Sequence, residues 1–355
     1  MKTIIKRNSR SVKSRRKILI PFDYWRGGFL NHIATELSEF YIVERTKPIK
    51  INIVLKVFFK LGLFLSFKEK LIQTSLDKSV IETCSKVKPD FFLNISGGGI
   101  SPWVYKELKT SGICLISYVA DNPFDPSPHR DKKYPLSLVH HDLLLVADHN
   151  WIRNIKLTTK ATIKYYSGGV DFSVWDSSKG SFDKNLESEV MFTGASYDLN
   201  QEGLFRAIIL NSISKNIKFK LWGDIGWTNR PIELSFLTKS YQGERLSFNS
   251  LLNALKSSKI YVNLPSPQIS SDFQPRVFEL GAMKVFQICP YSDSLKALFG
   301  EDIVMFQSIE QMNELINYYL NNDDKRIEKT EKLFVKINDL KFNWSSAIIK
   351  ELNLL

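Results

Sequence analysis

The sequence predicts an α/β protein built of two tandem Rossmann-like, doubly wound units with a cleft between them. Three observations predict it. Short runs of β-branched, leucine and aromatic residues alternate with stretches of helical spacing along most of the chain, the pattern of parallel strands buried on both faces. Glycines and isolated polar residues gather where those runs end, which is where parallel sheets hold their ligands. The 355 residues, 43% hydrophobic and 24% charged, supply globular material for more than one core.

In the first unit, Lys17-Ile18-Leu19-Ile20-Pro21 reads as a short buried strand, and Gly27-Gly28 as the turn that opens a helix running to about Phe40. Tyr41-Ile42-Val43 is a second strand, followed by a helical region over 51–75 and a further helix over Ser79–Val87. The strand Asp90–Ile95 ends in Ser96-Gly97-Gly98-Gly99, where bare backbone can approach a ligand closely. Pro102–Thr110 is a helix with proline in its first turn, Ile113–Val119 a strand, and Ala120-Asp121-Asn122-Pro123-Phe124 a loop. Leu143–Val146 and Thr162–Tyr166 are two more strands, and Ser167-Gly168-Gly169-Val170-Asp171 closes the half.

The polar, weakly patterned stretch Asp176–Leu186 reads as a linker, after which a second series begins. Glu189–Thr193 is a strand followed by Gly194-Ala195-Ser196 and a helix carrying Arg206. Ile217–Trp222 is a strand ending at Gly223-Asp224, Leu246–Ser257 a helix, and Ile260–Leu264 a strand. Pro275–Ile288 then opens as a short helix of small residues and runs into another buried strand. Ile303–Phe306 is a late strand, with helices at Ile309–Leu320, from Asp323 to about Asn338, and over 342–349.

Net charge is +12, and eight positive side chains, from Lys2 to Lys17, precede the first acid, Asp23. Such a tail suits a solvated arm or contact with anionic lipid or nucleic acid, and it lacks the apolar segment of a signal peptide. Residues 51–67 are the most hydrophobic run, but Lys56 and Lys60 interrupt it. It is too short to span a membrane and reads either as a core helix or as a basic amphipathic helix on a membrane surface. Cys84, Cys114 and Cys289 are widely spaced and form no zinc or disulfide framework, which fits a cytoplasmic protein.

Arg276 and Glu279, three residues apart, share one helix face behind Pro275. A cation, a helix start with free N–H groups and a carboxylate for sugar hydroxyls would together cradle a nucleotide sugar. The same residues also fit a plain surface ion pair. No Asp-x-Asp occurs, the usual signature of a metal-held diphosphate, and no G-x-G-x-x-G follows a strand. Adjacent side chains point apart, so His140-His141-Asp142 is not read as a metal site or triad.

The order of these features resembles a known family. Strand-Gly-Ala-Ser with Arg206 downstream, strand-Gly-Asp, Arg-x-Phe-Glu-x-x-Ala leading into a strand, then Pro290-Tyr291 and Leu295-x-x-Leu298-Phe299, are similar to the nucleotide-sugar domain of GT-B glycosyltransferases. The closest resemblance is to the CgeB-like (spore maturation protein) glycosyltransferases. It covers about 189–335 well and the first unit more loosely.

With a basic tail at 1–16 and a linker at 171–188 read from composition, the resemblance implies an acceptor-side domain at 17–170, a nucleotide-sugar domain at 189–338, and a last helix at 339–355 packing back on the first domain. It implies that Glu279 accepts the ribose hydroxyls of a donor, with a UDP-sugar as the leading candidate. Arg276 would face the diphosphate, Gly194 would admit phosphate, Gly223 and Gly243 would border the nucleotide, and Arg206 is a further cation or a solvated helix residue. Related retaining enzymes carry a second glutamate eight residues before the ribose one; here that position is Ser271. An inverting enzyme needs a base in the first domain, for which Asp121 and His32 are the candidates. The expected function is metal-independent glycosyl transfer to a glycan, a lipid-linked saccharide, a protein or modified nucleic acid, with no tightly bound cofactor. The alternative is a non-catalytic nucleotide-sugar or glycan-binding protein of the same fold.

Overall fold

The computed structural model describes residues 15–21, 33–47, 65–95, 99–125, 133–197, 201–229, 231–266, 268–269 and 272–353. Expectations for the tail before residue 15, Gly27-Gly28, His32, 51–64, Gly97-Gly98 and Ser271 fall outside them. The chain divides into two compact units. One comprises residues 1–146 with 152–164, and the other 147–151 with 165–355.

The first unit is a six-stranded parallel sheet of order β2-β1-β3-β4-β5-β6. Its elements are β1 (Lys17–Ile20), β2 (Ile42–Arg45), α1 (Leu65–Val87), β3 (Phe91–Ile95), α2 (Pro102–Thr110), β4 (Cys114–Val119), α3 (Tyr134–Ser137), β5 (Leu143–Val146), α4 (His149–Thr158) and β6 (Thr162–Tyr165). β3 and β5 are buried along their whole length, as strands covered on both faces must be. The two helices expected over 51–87 differ from what is found over the described part, where 65–87 is one continuous helix. No glycine or proline interrupts it, and Thr74 and Thr83 turn their hydroxyls onto Lys70 and Ser79 carbonyls within the helix. Helix α4, absent from the sequence reading, buries Trp151 and Ile155 at i and i+4.

The second sheet runs β12-β11-β10-β7-β8-β9, again parallel. In chain order its elements are β7 (Ser188–Thr193), α5 (Gln201–Asn211), β8 (Phe219–Trp222), α6 (Ser235–Ser240), β9 (Tyr241–Gly243), α7 (Phe248–Lys256) and β10 (Ser258–Val262). They continue as α8 (Arg276–Ala282), β11 (Gln287–Pro290), α9 (Asp293–Phe299), β12 (Val304–Phe306), α10 (Ile309–Asn321), α11 (Asp323–Leu340) and α12 (Trp344–Leu352). The chain adds β8 and β9 on one side of β7, then returns to the other side as β10. The carboxyl ends of β7 and β10 therefore flank the reversal of strand order, the place where such sheets bind ligands.

Helix α8 is short and close-packed. It buries Val277, Phe278, Leu280 and Ala282, and α11 lies so near that a Cβ on Gly281 would stand 2.1 Å from Ile337 Cδ1. Gln287 fixes α8 from the sheet, donating to the Val277 carbonyl at 2.9 Å while accepting from Asn263 Nδ2 at 2.8 Å. The last helix rests against the start of the second unit's main segment. Tyr166 donates its hydroxyl to the Trp344 carbonyl, and a Cβ on Gly169 would collide with the Asn343–Trp344 backbone at 2.7 Å.

Candidate functional site

Two loops meet at the reversal of strand order in the second sheet. The first, 194–197, leaves β7. Gly194 donates to the Trp222 carbonyl, and Trp227 Nε1 donates to the Gly194 carbonyl at 2.8 Å. Asp224, in the Gly-Asp pair after β8, accepts from the Ser196 amide at 2.8 Å and from the Ser196 hydroxyl. Burial pushes the Asp224 carboxyl up, and these hydrogen bonds more than offset it, so it lies below its ordinary value. Side chains are excluded here, since a Cβ on Gly223 would stand 2.1 Å from the Gly194 oxygen. Gly243 ends β9 and accepts from the Gly223 amide, which ties the third strand into the same corner.

The second loop, 263–269, leaves β10, and Arg206 joins it to the first. Reaching in from α5, its guanidinium donates to the carbonyls of Ala195, Leu264 and Pro265. It lies between the Phe192 and Tyr197 rings, 5.2 Å from each centroid. Tyr197 also links the loops through its hydroxyl, 2.9 Å from Ser266 Oγ. The Arg206 side chain is buried and three carbonyls occupy its Nη atoms.

Arg276 and Glu279 sit where the chain enters α8. Their closest N–O approach is 3.3 Å, and the side chains are 30% and 20% exposed. The Arg276 guanidinium lies 5.3 Å from the Trp175 ring centroid, and Nη1, the nitrogen paired with Glu279 Oε2, makes no hydrogen bond among the described residues. Burial pushes the Glu279 carboxyl above its usual value, with Arg276 opposing in part. Burial also works against the Arg276 charge, but Glu279 and then Tyr261 outweigh it and the guanidinium is held more firmly protonated. Tyr261 turns its hydroxyl to Thr193 at the end of β7, 2.9 Å from Oγ1. The pair thus faces a corner walled by β7, β10 and Trp175, and its polar atoms are partly unspent.

A cavity of about 170 Å³ opens beside this corner, between Phe205, Arg206, Pro265, Asp272, Gln274 and Tyr291. Arg276 and Glu279 do not line it. Among the described residues no cluster of three or more His, Cys, Asp or Glu side chains is placed to hold a metal ion.

Asp121 belongs to the first unit, half-buried two residues past β4. The turn beside it is capped by Asn122, whose Oδ1 accepts from the Phe124 amide at 3.0 Å. His141 is buried with Nδ1 on the Ser137 carbonyl, and burial first of all pushes it down to about 4.

Comparison with known proteins bears on the fold and on the stretch that carries these residues. Residues 203–336, which contain Arg206, Arg276 and Glu279, match the family described as glycosyl transferase-like. Sucrose-phosphate synthase from Thermosynechococcus elongatus superposes with a TM-score of 0.65 at 10% identity, over 96% of this chain and 98% of that one. The fold is GT-B. A trehalose-6-phosphate synthase superposes with a TM-score of 0.64 at 11% identity, over 95% of this chain and 99% of that one. Anabaena HepE, solved with UDP-glucose, does so at 0.59 and 13% identity, over 96% and 100%. No curated protein matches the chain by sequence.

One pair at the GT-B corner was not read from the sequence. Asp272, whose side chain is fully buried, accepts from the His149 amide at 2.7 Å and lies 3.0 Å from His149 Nδ1. The two residues are 123 apart in the chain. The available signal was weak: a carboxylate one residue past Ser271, and a histidine just after a buried strand.

Proposed function

We propose that this chain is a glycosyltransferase that moves a sugar from a nucleotide-diphosphate donor, a UDP-sugar in the first instance, to an acceptor hydroxyl. The observation that carries the reading is the Arg276–Glu279 pair at the strand reversal, where Arg276 Nη1 is ion-paired with Glu279 Oε2 at 3.3 Å but makes no hydrogen bond among the described residues. A guanidinium left this way in a half-buried corner suits an anionic ligand, and the carboxylate beside it can only accept, which suits ribose hydroxyls. Gly194, Gly223 and Gly243 border the nucleotide in this reading, and Arg206 holds the loops that shape its pocket. The UDP-glucose complex of HepE supports the choice of donor.

Arg276 supplies the positive charge that the departing diphosphate needs, so the reaction is read as metal-independent. Asp121, at the carboxyl end of β4, is the proposed base for the acceptor hydroxyl. Membership of the CgeB-like group is part of the proposal, supported by the order of motifs over 189–335. So is a cytoplasmic setting, supported by free thiols at Cys84 and Cys289, which burial pushes up, that of Cys84 to about 12. No helix among the described residues is long and apolar enough to cross a membrane. A peripheral contact through 1–17 and 51–67 is proposed from their charge pattern.

Thermal unfolding with UDP-, GDP-, ADP-, CMP- and dTDP-sugars tests the donor site, since a ligand that binds the folded state raises the midpoint by mass action. At least one donor, with UDP-sugars foremost, should raise it, and Glu279→Ala should reduce the shift. A panel with no effect, or a shift untouched by Glu279→Ala, overturns the reading.

A further inference from the structure

The loop that leads into α8 carries a second polar arrangement that the donor reading leaves unused. Asp272 is buried, and its carboxylate takes the His149 amide, His149 Nδ1 and the Ser294 hydroxyl. Burial pushes this carboxyl up; the Ser294 and His149 hydrogen bonds and the nearby imidazole outweigh that, and it lies below its ordinary value. It is therefore ionised and can only accept. The hydrogen shared with Asp272 must sit on Nδ1, so whenever the ring carries a single hydrogen Nε2 is a bare lone pair. The imidazole is 53% exposed, stacks on Tyr165 with centroids 3.8 Å apart, and Nε2 has no partner among the described residues. Asp148 keeps the histidine in place by capping the start of α4 through the Asn150 amide at 2.8 Å.

A lone pair fixed in this way is suited to accept from a hydroxyl. Residues 147–151 belong to the same unit as Arg276 and Glu279, and Asp272 lies four residues ahead of Arg276 on the segment that leads to it. If Arg276 holds the diphosphate, the transferred sugar hangs from the distal phosphate beside that segment. We propose that His149 reads the sugar half of the donor, its Nε2 accepting a hydrogen bond from one sugar hydroxyl, and that Asp272 is the positioning residue that sets its tautomer. This rests on the donor-site reading above. It also gives the chain its own means of holding the sugar where Ser271 offers no carboxylate.

Titration of the full-length protein with UDP and with UDP-glucose, UDP-galactose and UDP-N-acetylglucosamine separates the two halves of the donor. His149→Ala should leave the UDP affinity within about twofold and weaken the preferred UDP-sugar about tenfold. Asp272→Asn should do the same, because a carboxamide can donate to Nδ1 and drive the ring hydrogen to Nε2. An unchanged ratio of UDP-sugar to UDP affinity in both variants overturns the proposal while leaving the donor site standing. Loss of UDP binding in His149→Ala, with the fold intact by circular dichroism, overturns it as well. If wild type binds none of the four nucleotides, the donor-site reading fails. Nitrogen-15 correlation spectra then still decide this one, since a hydrogen on Nε2 of His149 in wild type overturns it outright.

Discussion

Arg206 and Arg276 belong to the same unit, and both guanidinium groups lie against aromatic rings, yet they are spent differently. Arg206 is buried between two rings and gives its Nη hydrogens to carbonyls on both loops. Arg276 meets one carboxylate through Nη1 at 3.3 Å, an ion pair without a hydrogen bond among the described residues. Each keeps one buried nitrogen without a hydrogen-bond partner among the described residues, Nε in Arg206 and Nη1 in Arg276. But Arg206 spends both Nη atoms on the chain's own carbonyls and so shapes a site, whereas the outer end of Arg276 meets only a carboxylate that a ligand can share. Sequence position does not separate the two cases. The destination of each N–H does.

The comparison can be broken by experiment. Arg206→Leu should have the largest effect, because three carbonyls, that of Leu264 buried, lose their donor at once. Urea unfolding should show a loss of about 3 kcal/mol, with nucleotide binding falling only as the fold does. A loss below about 1 kcal/mol with binding abolished would place Arg206 on the ligand instead. Arg276→Gln should reverse the pattern. Stability should change by less than about 1 kcal/mol, while affinity for a nucleotide diphosphate falls about tenfold or more, consistent with the loss of one charge-assisted hydrogen bond. Equal losses for UDP and uridine would show that the lost contact is not to phosphate.

The smallest effect is a pH slope, and it sharpens the contrast between the two carboxylates near α8. The raised Glu279 carboxyl means the folded state binds more protons than the unfolded one. Stability should therefore fall as pH rises from the ordinary glutamate value through the raised one. Glu279→Gln should remove that slope and be relatively more stable at neutral pH than in acid. The lowered Asp272 carboxyl has the opposite sign, giving stability that is present above the ordinary aspartate value and lost as pH falls through the folded one. Melting temperatures from pH 3 to 7 for both amide variants check the two signs together.

Much of the fold was legible because buried parallel strands are continuous apolar runs with little ambiguity of period. Pro102–Thr110, with proline in its first turn, lies where the sequence places it. Short elements were harder to read. Tyr241–Gly243 is three residues long, and α4 carries only two buried positions beneath a polar surface. The site was partly legible. Arg276 and Glu279 are three apart on one helix, so local spacing already put them together, and Gly194 and Gly223 stand at strand ends, as expected. The direction of Arg206 was not readable, since three carbonyls from two distant loops decide it. Nor was the Asp272–His149 pair, because nothing local relates residues 123 positions apart.

That separation has a consequence for how the protein is made. Residues 147–151 belong to the second unit but are flanked on both sides by segments of the first. At ~5–20 residues per second, the ribosome adds Asp272 about 6–25 s after His149, so this short segment emerges well before the carboxylate that holds it. The first unit can assemble its sheet in that interval. The second closes only once the later chain returns to five residues left behind upstream, and a fragment starting at residue 165 would lack them altogether.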